Sequence, residues 1–353
     1  MSNAHLLAFS PIAFLCLTSI ALFNCDPQVQ AAPENRIALE NSSHAHFAFA
    51  SFSADASLLA AGEDRLRVWD TQTGRIRTTL HPPAFAIAFS ADGMMLAGTE
   101  TGRGNDIDLW ALRDEARLLI TYGATGPGSA DSGKLIRKFQ QPRSERIGLS
   151  AAFSPDTKWL AIGNGDDTIT LFELATGKEV TLPQEQSNGA AIGFSNDGKY
   201  LASGGRDGTI RVWEVNSQAE KHCLRGYPDP VAQVAFGDRD RLIVAAAVEP
   251  QGIAGKSTVF VNRFPDGKEL ARFPNCSHPV LTTDGRFLAM LGTERKTVSI
   301  RDLKDRSLVF EYVARNNSRF KAISFTPNKT LICLLSEKNQ LFLLRLQSAI
   351  TKK

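Results

Sequence analysis

A short pattern returns about seven times along these 353 residues, and that recurrence limits the chain to a few folds. Each copy has an apolar run ending in a Phe-Ser-x-Asp-Gly turn, then a strand of small residues. A turn with an acidic residue follows, and then a strand ending in an aromatic. The clearest copy, Ile192 to Val215, reads IGFSNDGKYLASGGRDGTIRVWEV. Ahead of its first turn, Asn196-Asp197-Gly198, the residues Ala190, Ile192 and Phe194 alternate with small ones. Tyr200 to Ser203 reads as the next strand, Arg206-Asp207-Gly208 turns again, and Thr209 to Val215 reads as the third. Cys223 and Leu224 fall in an outer, fourth strand. A unit of about 40 residues with four short strands is the signature of sheets wedged around an axis. The sequence therefore predicts an all-β, seven-bladed β-propeller of four-stranded antiparallel blades, with six and eight blades as the alternatives.

The residue opening each strand–turn signature is Phe52, Phe89, Phe153, Phe194, Phe236, Leu281 and Phe325, at intervals of 37, 64, 41, 42, 45 and 44 residues. The one long interval has a visible surplus. Leu135 to Phe139 reads as the outer strand of the second unit, so 111–133 is expected to be an insertion within the second blade. Its latter part is rich in Gly, Pro and Ser, a loop composition. At the other end, Gln340 to Leu346 is the third strand of the last unit and the chain then nearly stops. Arg36 to Glu40 reads as an outer strand lacking a blade. It is predicted to complete the last blade, clasping the ring and hiding edges that would recruit other chains. The propeller is expected over 32–349.

Five triplets at third-strand ends carry a family resemblance: Val68-Trp69-Asp70, Leu109-Trp110-Ala111, Leu171-Phe172-Glu173, Val212-Trp213-Glu214 and Ile300-Arg301-Asp302. Asp207 and Asp166 each stand six residues ahead of the aromatic, Trp213 and Phe172 respectively. These residues resemble the WD-repeat (beta-transducin-like) β-propeller family over roughly 36–347, strongly in the first four units and weakly in the fifth and sixth. The family's Gly-His dipeptide is missing throughout, with Gly226-Tyr227 in its slot in the fifth unit. The family's hydrogen-bonded tetrad is therefore incomplete, and Asp207, Ser203 and Trp213 are what is left of it in the fourth unit. The resemblance implies structural roles for Trp69, Trp110, Phe172, Trp213, Asp166, Asp207 and Ser203. Blade rigidity is expected to come from packing more than from buried polar networks.

The N-terminus stands apart. Leu6 to Phe23 is almost wholly apolar and no Lys or Arg precedes Arg36. Val29-Gln30-Ala31 suits a secretory peptidase, so 1–31 reads as a signal peptide or membrane-targeting leader cleaved after Ala31. An uncleaved anchor and a lipid-bearing Cys25 are the alternatives, as is a mis-assigned start that would leave the protein in the cytoplasm. The predicted location is the periplasm, the envelope or the secreted fraction. Of five cysteines, Cys223, Cys276 and Cys333 fall outside the leader, with no metal spacing among them. They read as small buried hydrophobes, with a Cys223–Cys276 bridge as the alternative.

A net charge of +3 gives no strongly basic face, which argues against nucleic acid and membrane surfaces as partners. Membrane contact is expected only through an uncleaved leader. Gly128 to Lys134 fits the phosphate-loop spacing, but Leu135 stands where a magnesium-holding Ser or Thr is needed, and a strand follows instead of a helix. His44 and His46 are two imidazoles where a metal site wants three or four ligands. The predicted innermost strands are nearly free of titratable groups, with Gln233, His278 and Lys321 as the polar exceptions. That is the main argument against an enzyme, and no catalytic, cofactor or metal residue is assigned. The expected function is a non-enzymatic, monomeric interaction or scaffold propeller with a protein or peptide partner. The alternative is a small-ligand-binding or hydrolase- or quinoprotein-type catalytic propeller. The predicted partner face gathers Arg65, Arg103, Arg143, Arg146, Arg206, Tyr227, Arg295, Arg315 and Arg319, because Arg and Tyr are enriched at binding hot spots.

Overall fold

The structure, a computed structural model, describes residues 35–39, 49–62, 66–80, 84–100, 107–112, 134–139, 148–164, 166, 168–183, 191–249, 257–282, 284–314, 318–325, 331–338 and 340–346. All lie in the unit spanning 31–353, and residues 1–30, the bulk of the proposed leader, lie outside the described residues. Twenty-eight strands make seven four-stranded antiparallel sheets.

Blade 1 runs β2 (Phe49–Phe52), β3 (Leu58–Gly62), β4 (Leu66–Asp70) and β5 (Ile76–Leu80), with β1 reserved for the last blade. Blade 2 is β6 (Ala84–Phe89), β7 (Met95–Glu100), β8 (Ile107–Ala111) and β9 (Lys134–Phe139). The residues between β8 and β9, from 113 to 133, are outside the described residues. Blade 3 is β10 (Gly148–Phe153), β11 (Trp159–Asn164), β12 (Thr168–Glu173) and β13 (Glu179–Pro183). Blade 4 is β14 (Ala191–Phe194), β15 (Tyr200–Gly204), β16 (Ile210–Glu214) and β17 (Ala219–Leu224). Blade 5 is β18 (Val231–Gly237), β19 (Leu242–Val248), β20 (Ser257–Arg263) and β21 (Glu269–Pro274). Blade 6 is β22 (Ser277–Leu281), β23 (Phe287–Leu291), β24 (Thr297–Asp302) and β25 (Leu308–Val313). Blade 7 takes β26 (Phe320–Phe325), β27 (Leu331–Ser336) and β28 (Gln340–Arg345), and its outer strand is β1 (Asn35–Ala38), paired antiparallel with Ile37 opposite Leu341. The first strands touch their neighbours around a complete circuit, β2 to β26 included, so the sheets close into a ring about an axis.

Alternation explains how the ring is held. Successive strand residues point to opposite faces of a sheet, so each blade offers one set to the blade before it and the other to the blade after. Leu58 and Ala60 pack toward blade 2, while Leu59 and Ala61 pack toward blade 7. The buried apolar residues fall into seven clusters, one between each pair of neighbouring blades. The closing cluster, between blades 7 and 1, unites Leu39, Leu335 and Leu341 with Leu59 and Trp69.

The signature turn has a physical cause. In blade 4 the buried Ser195 Oγ accepts from the Tyr200 amide at 2.8 Å and donates to Asp197 at 2.8 Å, while Asp197 accepts from the Lys199 amide at 3.0 Å. The same net holds Ser154 with Asp156, Ser90 with Asp92, Ser53 with Asp55, and Thr282 with Asp284. Burial alone would raise the Asp197 pKa, but the Lys199 amide and the Ser195 hydroxyl outweigh it and hold the carboxyl below its usual value. Packing is thus joined by buried polar nets at these turns, beyond what the missing family tetrad suggests. Glycine follows three of these five aspartates, with Gly93 and Gly285 both at φ +67°, a conformation glycine adopts freely, while Ala56 and Thr157 take the same left-handed conformation in the other two turns.

Candidate functional site

The aromatic or its substitute at the third-strand end faces the preceding blade. Trp69, Trp110, Phe172 and Trp213 are all buried in such clusters. In blades 1, 2, 4, 5 and 6 a β-bulge against the outer strand comes just before this position. Trp213 Nε1 donates to the buried Ser203 Oγ at 3.3 Å. Asp207 and Asp166 are exposed and cap their own turns, accepting from Thr209 Oγ1 at 2.7 Å and Thr168 Oγ1 at 2.6 Å.

The predicted partner face divides. Arg65, Arg103, Arg143, Arg146 and Arg315 lie outside the described residues, as do His44 and His46. Arg206 and Arg319 are exposed, and Arg295 is half-buried in a 3-10 turn, paired with Glu337 at 2.7 Å. Tyr227 is a correction: it is buried between blades 4 and 5 and presents almost no surface. Its cause is blade 5, where Asn262 stands in the place of Trp213. Tyr227 supplies the missing ring, edge-on to Phe260 with centroids 5.2 Å apart, and its hydroxyl donates to Asn262 Oδ1 at 3.1 Å. Burial pushes the Tyr227 hydroxyl well above the usual phenol range. Cys223, Cys276 and Cys333 are free thiols, so the bridge alternative is also set aside. Burial pushes the Cys333 thiol up to about 12.

Two concavities lined by described residues bear on function. The larger, about 1070 Å³, lies between blades 5 and 6, on the face of the signature turns and opposite the predicted one. Its walls carry Arg241 paired with Asp238 at 2.7 Å and Arg286 paired with the buried Asp302 at 2.8 Å. Leu242, Val261, Leu270 and Leu303 supply apolar lining. Arg239, Lys304 and Arg306 also line it, exposed and without an ion-pair partner among the described residues. Two blades meet closely here: a Cβ on Gly285 would stand 1.7 Å from the Asp238 amide nitrogen. Next door, Asp240 binds the blade 4 turn, accepting from the Asn196 amide at 2.6 Å and the Asp197 amide at 3.0 Å.

The smaller cavity, about 250 Å³, is lined by the first strands of blades 5, 6, 7 and 1. It gathers the three polar exceptions that the sequence scattered over three units: Gln233, His278 and Lys321. Lys321 lies in the β-bulge of β26 and His278 in that of β22, and bulges re-aim side chains. Burial pulls the His278 pKa down to about 4, helped by the Arg295 charge, so the imidazole is neutral at pH 7. Burial also lowers the Lys321 ammonium to about 8, against the opposing pull of Glu337. A periodicity check could have found this group, since the three recur 45 and 43 residues apart, in step with the repeat.

Seven four-stranded blades closed about an axis define a β-propeller. The chain carries WD repeats: the family model described as "WD domain, G-beta repeat" matches 133–173 and 184–214, which fall in blades 2 to 4. Among solved structures, the fold is similar to the crystal structure of the β-propeller domain of Cps50 (Swd1) from Myceliophteria thermophila. The TM-score is 0.68 at 16% identity, over 89% of this chain and 100% of that one. No curated protein matches the sequence.

Proposed function

We propose that this protein is a non-enzymatic interaction propeller, exported by its N-terminal leader, whose partner is a protein or peptide. WD-repeat propellers are commonly protein-interaction scaffolds, and rigid blades presenting variable turns suit that role. The observation that carries the reading is the cleft between blades 5 and 6. It joins apolar lining to exposed cations that have no ion pair among the described residues, Arg239 and Lys304 among them. Apolar centre with polar surround is the anatomy of a protein interface. Arg206 and Arg319, exposed on other turns, form the second surface of interest.

Crosslinking capture from the native compartment tests this with two charge-reversed proteins, Arg239→Glu/Lys304→Glu and Arg206→Glu/Arg319→Glu. The first is expected to weaken capture of the principal partner by about tenfold while the second leaves it unchanged. Loss confined to the second would move the interface to the other surface. Undiminished capture by both would remove the interaction reading of either. Sequencing the mature N-terminus tests the export reading, with Ala32 expected first.

The axial cavity favours a second, small-ligand reading, because polar groups otherwise kept off the inner strands converge there.

A further inference from the structure

We propose that the partner of the cleft between blades 5 and 6 is an acidic segment that inserts an aromatic side chain, an inference resting on the interface reading above. Among the described residues, six of the seven inter-blade seams hold a buried aromatic ring. Trp69, Trp110, Phe172, Trp213, Tyr227 and Phe320 supply one to each. The seam between blades 5 and 6 holds none, and Phe273, its one ring, is only partly buried. The cause is Arg301. It follows the β-bulge of β24 as Trp213 follows that of β16, and it pairs with Leu288 as Trp213 pairs with Leu201. Its guanidinium lies over the Phe273 ring, 5.1 Å from the centroid, and donates to the Arg306 carbonyl at 3.1 Å.

The bed for a ring is nevertheless present. In the seam between blades 3 and 4, Trp213 packs with Trp159, Leu171 and Val180. Register puts Leu242, Val261 and Ala271 at the corresponding places in blade 5, and all three line the cleft. Between blades 4 and 5 the lost ring is replaced by Tyr227. Between blades 5 and 6 no described residue replaces it, and a space of about 1070 Å³ is left. An aromatic side chain is the largest apolar group that a partner can offer such a space, and aromatic anchors dominate interface hot spots.

Charge sets what flanks the ring. The carboxylates of the lining are engaged at home. Asp238 holds Arg241, and Asp302 holds Arg286 and accepts from the Lys304 amide at 2.9 Å. Asp284 accepts from Thr282 Oγ1 at 2.6 Å, and Asp305 from the Ser307 amide at 2.9 Å. Arg239, Lys304 and Arg306 are exposed and have no ion pair among the described residues. The turn carrying Arg239 is pinned on both sides, by the bonds of Asp240 to the blade 4 turn and by the close approach of Asp238 to Gly285. Little backbone order is therefore lost when a partner binds there. Three cations around an apolar bed are complementary to carboxylates on either side of an inserted ring.

The test uses the full chain and the fluorescein-labelled peptide Asp-Glu-Gly-Trp-Gly-Glu-Asp, read by fluorescence anisotropy at constant ionic strength and pH 7. On the unaltered protein it should bind at least tenfold tighter than two relatives, one with Ala for Trp and one with Lys for every acid. Arg239→Glu/Lys304→Glu should weaken its binding about tenfold or more. Arg301→Trp, which returns a ring to the seam, should weaken it about tenfold without lowering the melting temperature. Equal binding of the Trp and Ala peptides would reduce the cleft to a site for any polyanion. Equal binding of the acidic and lysine peptides would reduce it to a plain apolar groove. Sedimentation showing a dimer that the charge-reversed protein cannot form would assign it to a second copy of the chain. Each of these outcomes overturns the proposal, as does absence of binding by every peptide or unchanged binding by the folded Arg301→Trp protein. The interface reading fails separately, through undiminished capture of the partner by the charge-reversed protein.

Discussion

Among the described glycines Gly285 has the tightest backbone approach, and replacing it with alanine separates two effects that usually travel together. Gly285 and Gly93 occupy the same place in their signature turns, each after the capping aspartate, and share φ +67°. Alanine at either pays the left-handed strain, about 1–2 kcal/mol. Their surroundings differ. At Gly93 the new Cβ meets its nearest neighbour, Ser53 Cβ, at 3.7 Å, an ordinary contact. At Gly285 it would lie 1.7 Å from the Asp238 amide nitrogen and 2.2 Å from its Cα, both backbone atoms that no rotamer change can move. The blade 5 and blade 6 turns must part before the contact becomes tolerable, and such overpacking costs about a further 1–3 kcal/mol. Gly93→Ala is therefore expected to lose about 1–2 kcal/mol and Gly285→Ala about 2–5 kcal/mol, a difference of a few degrees in melting temperature for a chain of this size. Urea and thermal unfolding of both variants, followed by circular dichroism, read the difference. Equal destabilisation of the two would refute the reasoning, because it would mean the blades do not abut at Asp238.

The remaining expectations concern the axis and the seam. His278 has a native pKa near 4, below its ordinary 6.5, so the unfolded chain takes up the proton first as the pH falls. Native stability should therefore drop between pH 6.5 and 4, by on the order of 3 kcal/mol for this group. His278→Asn, which tolerates the positive φ, should flatten that part of the stability–pH curve in urea titrations; an unchanged slope would show the imidazole is not buried as described. Deleting 34–41 removes β1 and the buried Leu39, and bares the β28 edge. A lowered melting temperature or aggregation in light scattering is expected, and a normal melt would show that this strand does not hold the ring closed.

How much of this was legible depends on whether a residue's task is local. The side chains of Ser195 and Asp197 bond to atoms within five residues, so the turn repeats wherever the same local problem recurs. That is why the blade count and strand order follow from counting. Tyr227 answers to a residue 35 positions away, the Asn262 that replaces an aromatic in blade 5. Its role could not be read from its own neighbourhood, where Tyr in a loop suggests exposure. The axial group lies between these cases. Gln233, His278 and Lys321 are each visible as intruders in an apolar strand, but a single polar residue per strand says little. Only circular closure, which brings β18, β22, β26 and β2 around one space, turns three intruders into a cluster. An inner strand poor in titratable groups is thus a weak argument against chemistry at the axis, because a ring adds together what each repeat contributes singly.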